Sequence, residues 1–351
     1  VNQREITAIA IFIVIALGCA SLNGLTPPNA GASAKCSDIR RGSETREAQT
    51  PAPQGADADR NQALFAAIRK ADLKLVKTLL DKGADANARD PEGMTALMFA
   101  ALHTDAGFMK LLLDRRADPN ARNNAGLTAL MLAAGDFRKA ELLVASGADV
   151  NAKGALGVTP LIITAGNVGA VRIVRMLLGH GAAVNAKSER GDSPIIHAAI
   201  SGDTEILNEL IAGGANMESR DEGELTALMY ATLYGNADAV KTLIAKGADV
   251  NARTKLQKTP LFGAVRRNFI EIVRALLAGG AEVNLKDSQG YTALIWAADN
   301  ESGDPTITDA LIEKGAGVNA KARDGATALA WAKKRGETPI VRSLKRAGAI
   351  E

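Results

Sequence analysis

From residue 61 to the end of the chain one pattern returns about every 33 residues. A Thr-Ala-Leu or Thr-Pro-Leu triplet leads to paired small residues, a glycine, an apolar stretch and a run such as Gly-Ala-Asp-Val-Asn-Ala. Units begin near Asn61, Met94, Leu127, Val158, Asp192, Leu225, Lys258, Tyr291 and Ala326, and these nine units leave no residue over. A segment of about 33 residues is too small to bury its own apolar face, so neighbouring units must stack and share a core. A length of 351 residues would otherwise suggest about two globular domains. The period instead predicts one elongated array over residues 59–351, with atypical end units acting as caps.

Each part of the unit has a physical role. A Thr or Ser hydroxyl can accept an orphan N–H at a helix start, and Pro160, Pro194 and Pro260 sit where no N–H bond is due. Pairs such as Ala100-Ala101, Ala133-Ala134 and Ala198-Ala199 let short first helices approach closely, and Gly202 and Gly235 permit the turn into a second helix. Apolar residues at helical spacing, for example Val240, Leu243 and Ile244, give that second helix one buried face. Gly147, Gly247 and Gly315 suit a left-handed helix end. Asp149, Asn151, Asp249 and Asn251 are types that brace a turn by bonding nearby backbone. The composition agrees, with 66 alanines, 34 glycines and 12 aromatic residues, which favours close-packed helices and disfavours a large β-sandwich.

These triplets, from Thr95-Ala96-Leu97 to Thr327-Ala328-Leu329, together with the period and the Gly-Ala-Asp-Val-Asn-Ala run, resemble the ankyrin repeat. The resemblance implies an all-α repeat solenoid of about nine helix-turn-helix repeats with β-hairpin loops. It also implies a concave surface that takes a protein partner. Some positions depart from the family pattern. Its customary His after the triplet is replaced by Met98, Met131, Ile162, Ile196, Met229, Phe262 and Ile295; Arg116 stands where Gly is expected; and Asn216-Met217-Glu218 replaces Asp-Val-Asn.

Ahead of the array, Ile6 to Leu17 form an unbroken apolar run, short for a bilayer span and suited to a secretory signal. Residues 15–19, Ile-Ala-Leu-Gly-Cys, resemble the lipobox of bacterial lipoproteins, with Leu17 where a small residue is usual. The favoured reading is a signal over residues 1–19 with lipidation at Cys19; a signal cleaved near Ala20 and an uncleaved anchor are the alternatives. Cys36 then has no partner and is assigned no chemistry. Residues 20–58 are rich in Pro, Ala, Ser and Gly without apolar periodicity and read as a disordered linker.

The 42 basic and 39 acidic residues leave a net charge of +3, which provides no field of the kind a nucleic-acid binder uses. His103, His180 and His197 lie in separate repeats without metal-ligand spacing, and no nucleophile elbow, phosphate loop or zinc-protease motif occurs. No catalytic residue, metal or cofactor is therefore assigned. For a partner, the first-choice contacts are Tyr234, Arg266, Arg267 and Tyr291, residue types enriched at interface hot spots, with Leu102 and His103 beside them.

A second candidate is the basic residue that follows each Asn-Ala step: Arg89, Arg122, Lys153, Lys187, Arg220, Arg253, Lys286 and Lys321. Stacking would align them into a stripe, which reads either as a ridge for an acidic protein surface or as a common family position whose charge Asp90, Asp221, Glu222, Asp287 and Asp324 partly cancel. The expected function is a non-enzymatic protein-binding scaffold, monomeric, exported and lipid-anchored in a bacterial periplasm, touching the membrane only through its N-terminus. An accessory or inhibitory subunit of a periplasmic enzyme and a secreted host-directed effector are the alternatives.

Overall fold

The structure is a computed structural model that describes residues 55–300 and 303–350. The signal, Cys19, Cys36 and residues 20–54 lie outside the described residues, as do Glu301 and Ser302.

Among the described residues nine helix pairs follow one another, from Ala56–Arg69 with Leu73–Asp81 to Ala328–Lys333 with Pro339–Arg346. Triplet hydroxyls start the first helices as expected: Thr95 accepts the Met98 N–H at 3.3 Å, Thr128 accepts that of Met131 at 3.4 Å, and Thr327 accepts that of Ala330 at 3.1 Å. Ser193 and Thr259 make no such bond, and there the fixed φ of Pro194 and Pro260 sets the first turn. Asp72, Asp105, Asp136 and Asp203 cap four of the second helices, Asp203 accepting the Glu205 and Ile206 N–H groups.

First helices pack on first helices and second helices on second helices, giving two layers with one core along the array. The first layer lies between the second helices and the loops, so Ala96, Leu97, Met98, Phe99, Ala100 and Ala101 are all buried. The second layer buries only a stripe, such as Ala239, Val240 and Leu243. Every residue standing in for the family's His is buried, so packing occupies the place of its hydrogen bonds.

One boundary shifts, and the loops take a particular form. The first helix begins at Ala56, so Ala56–Ala58 belong to the capping repeat rather than to the linker. The hairpin loops carry almost no regular strand: among the described residues there is none, and two isolated antiparallel bridges occur, Arg89 with Thr95 and Lys286 with Thr292. The loops close as tight turns: in the Asp90 loop the Asp90 N–H bonds the Met94 carbonyl at 3.0 Å and the Asp90 carboxylate takes the Glu92 and Met94 N–H groups. Gly93 then turns the chain at φ 75°. Arg116, in a glycine place, adopts φ 64° with a side chain attached, a left-handed backbone that costs a non-glycine residue free energy.

Candidate protein-binding face

Two ladders run along the loop edge and tie each repeat to the next. Asn87 Nδ2 donates to the Arg116 carbonyl at 3.0 Å while its Oδ1 accepts the Asp118 N–H at 2.7 Å. The same double bond joins Asn120 to Gly147 and Asp149, and Asn151 to Gly181 and Ala183. It continues at Asn185, Asn251, Asn284 and Asn319. The residue two places earlier braces its own turn, as Asp149 does for the Asn151 N–H and Asn216 for the Glu218 N–H. Asn151 and Asn251, expected to do likewise, instead satisfy the turn of the next repeat. At the remaining junction Glu218 accepts the Asp249 N–H at 2.9 Å and, as a carboxylate, has no hydrogen to give the Gly247 carbonyl.

The second ladder is the basic stripe. Arg89 donates to the Arg122 carbonyl, Arg122 to that of Lys153, Lys187 to that of Arg220, Arg220 to that of Arg253, Arg253 to that of Lys286, and Lys286 to that of Lys321. Lys153 makes no corresponding bond, and Lys321 stands at the end of the row. Six of these cations thus have an intramolecular use that spacing alone did not reveal.

The inner face differs. Two places after the Leu or Ile of each triplet stands a column of unlike residues: Phe99, Leu132, Ile163, His197, Tyr230, Gly263, Trp296 and Trp331. In two repeats the column side chain reaches its own loop: the Tyr230 hydroxyl donates to Asp221 at 2.6 Å and Trp296 Nε1 donates to Asp287 at 3.2 Å. Burial, reinforced by Asp221, pushes the Tyr230 phenol far above its usual range. Between them Gly263 has no side chain, and a small pit of about 40 Å³ opens there. Its walls include Thr232, Leu233, Phe262 and Trp296, and Lys258, Arg266 and Arg267 stand around it. The Lys258 ammonium lies 5.2 Å from the Trp296 ring centre and the Arg266 guanidinium 5.8 Å from it. Burial, and then the Arg266 charge, hold Lys258 below its ordinary pKa; burial and Arg267 do the same to Arg266.

Among the first-choice contacts, Tyr234 is 47% exposed and Arg266 and Arg267 are exposed beside the pit. Tyr291 is half-buried: its hydroxyl donates to Asp324 at 2.5 Å and its ring packs against Trp296 and Trp331, with centres 5.6 and 6.1 Å away. Leu102 and His103 are half-buried several repeats away, so the structure does not bring them to the pit. Sequence reasoning passed over Lys258, Trp296 and Gly263; superposing the repeats at the triplet and asking which column position lacks a side chain would have found them. His197 is buried with Nε2 unpartnered, and burial lowers its pKa to about 4. The acidic turn of the eighth repeat is engaged internally, Asp299 with Arg335 at 3.1 Å and Asp304 with Thr306. No group of three or more His, Cys, Asp or Glu residues among the described ones is placed to hold a metal ion, and no described helix is long and apolar enough to cross a membrane.

No curated protein matches the chain. Solved structures do, in large number, and one of them is the crystal structure of the human ASB11 ankyrin repeat domain. It is 24% identical with a TM-score of 0.57, and the match covers 64% of this chain and 100% of that one. At that identity the likeness speaks for the fold alone. The family model for ankyrin repeats matches three times, over residues 63–154, 161–254 and 251–322, well over half of the chain. With the nine stacked helix pairs and the shared core, this match shows that the chain belongs to the ankyrin-repeat family.

Proposed function

We propose that this chain is a non-enzymatic scaffold that holds a protein partner in the groove between its loops and first helices, centred on repeats six to eight. Ankyrin arrays are in general protein-interaction scaffolds. The observation that carries the location is the contrast between a loop edge whose cations are bonded internally and an inner face that offers Tyr234, Arg266 and Arg267 to solvent. In this reading the protein is exported, anchored by a lipid on Cys19, and faces the periplasm of a bacterial cell.

Crosslinking from envelope fractions identifies the partner, and alanine at Tyr234, Arg266 and Arg267 tests the groove. A loss of affinity of roughly tenfold or more is expected, and an unchanged affinity removes the assignment. Tyr291 is better probed as Tyr291→Phe, which keeps its ring contacts while deleting the bond to Asp324. Radioactive fatty acid should label the wild type and not Cys19→Ser; unlabelled protein in the culture medium would instead fit a secreted effector.

A further inference from the structure

Glycine at position 263 has no local explanation. It lies inside the helix Pro260–Arg266, where glycine is the least favourable residue other than proline. Its φ is not in the left-handed region. A Cβ placed on it would meet Leu233 Cδ2 and Thr232 Cγ2 at 3.5 Å, ordinary contact distances, so crowding does not demand glycine either. What the missing side chain does is leave a hole in the column between Tyr230 and Trp296.

The chemistry around the hole is one-sided. Its walls are apolar, from Leu233, Phe262 and Trp296, while Lys258, Arg266 and Arg267 gather at one place. No ion pair holds Lys258 or Arg267 among the described residues. The nearest carboxylate of this loop, Asp287, is buried and already accepts from Trp296 Nε1 and from the Gln289 and Tyr291 N–H groups. Burial lowers the pKa of both Lys258 and Arg266, and each also feels a neighbouring cation, Arg266 and Arg267 respectively.

We propose that the Gly263 pit is a socket for one large apolar side chain of an acidic peptide segment, whose flanking carboxylates meet Lys258, Arg266 and Arg267. The proposal rests on the reading of the groove as the partner-binding face and names what that face selects. The inserted side chain takes the column place that this chain leaves empty, stacking between Leu233 and Trp296, and the carboxylates meet a cluster in which Lys258 and Arg267 hold no ion pair among the described residues.

The test uses the full chain and three fluorescent nonapeptides, read by anisotropy. The first has a central Phe flanked by Asp and Glu, the second replaces that Phe by Ala, and the third keeps Phe but is flanked by Lys. The first is expected to bind roughly tenfold or more tightly than the second, and the third not at all. Gly263→Leu should abolish the preference for Phe over Ala, while the double substitution Lys258→Gln and Arg267→Gln should weaken both acidic peptides alike. Should Gly263→Leu fail to fold, Gly263→Ala, which meets only ordinary contacts, should reduce the preference in part.

Equal binding of the Phe and Ala peptides, a preference that survives Gly263→Leu, or no binding of either acidic peptide up to about 1 mM would overturn the socket. A crosslinked partner released by the Tyr234 and Arg266 changes but indifferent to Gly263→Leu ends the socket alone. A partner indifferent to every one of these changes ends the groove reading with it.

Discussion

Two rows of side chains run the length of this array at the same 33-residue spacing, and they behave in opposite ways. Along the loop edge, Asn occupies seven of eight junction positions and makes the same pair of bonds each time. Along the inner face the row changes at nearly every step, from Phe99 through His197 to Gly263 and Trp331. A repeat can be stacked on its neighbour in only one geometry, so a residue that ties repeats together must be the same each time. A residue that faces outward from the stack is released from that demand. Uniformity therefore marks the groups that hold the solenoid, and variation marks places that no recurring bond constrains, some of them buried (Phe99, His197, Tyr230) and some half-buried (Trp296, Trp331).

The comparison can be strained most at His197, a member of the variable row that is wholly enclosed. Its folded pKa of about 4 lies below the ordinary value of 6.5. Above pH 6.5 the ring is neutral whether the chain is folded or not, and nothing is lost. As the pH falls from 6.5 toward 4 the unfolded chain takes up a proton that the folded one refuses, so stability drops, by on the order of 3 kcal/mol in total. Urea midpoints of wild type and His197→Leu at about pH 7 and pH 4.5 should differ in their acid sensitivity, with the variant losing less. Parallel losses would mean that the imidazole is not excluded from protonation.

A smaller effect tests the uniform row. Asn151→Ala deletes one donor and one acceptor between the third and fourth repeats and should cost about 1 to 2 kcal/mol in urea denaturation, with no change in partner affinity. An affinity loss as large as that of the groove variants would erase the distinction between the rows. Smallest is a gain: Glu218→Asn restores a donor to the Gly247 carbonyl and should raise stability by about 0.5 to 1 kcal/mol. A neutral or negative result would show that the single break in the row is matched to its surroundings.

Much of the architecture was legible because its causes are local and recur. The cap at Thr95, the left-handed Gly147 and Gly247 and the buried stripe of Val240 and Leu243 each follow from a residue and its near neighbours. Asn151 was misread for the converse reason: its partners, Gly181 and Ala183, are about thirty residues away, and a side chain that can brace its own turn gives no local sign that it braces the next one. The basic stripe was correctly aligned in sequence, yet whether Arg89 or Arg253 faces a partner or a neighbouring carbonyl depends on the distance between loops.

The sequence by itself determined the period, the number of repeats and their division into a short buried helix and an amphipathic one, since these depend on spacing, caps and apolar burial. It also placed Tyr234, Arg266 and Arg267 among the candidate contacts. Only the tertiary structure decided that the loop cations bond carbonyls of the next repeat, and that Lys258, Arg266 and Arg267 gather about a hole beside Trp296. Stacking brings together residues about 33 positions apart, and an empty place between two side chains exists only once those side chains stand next to each other.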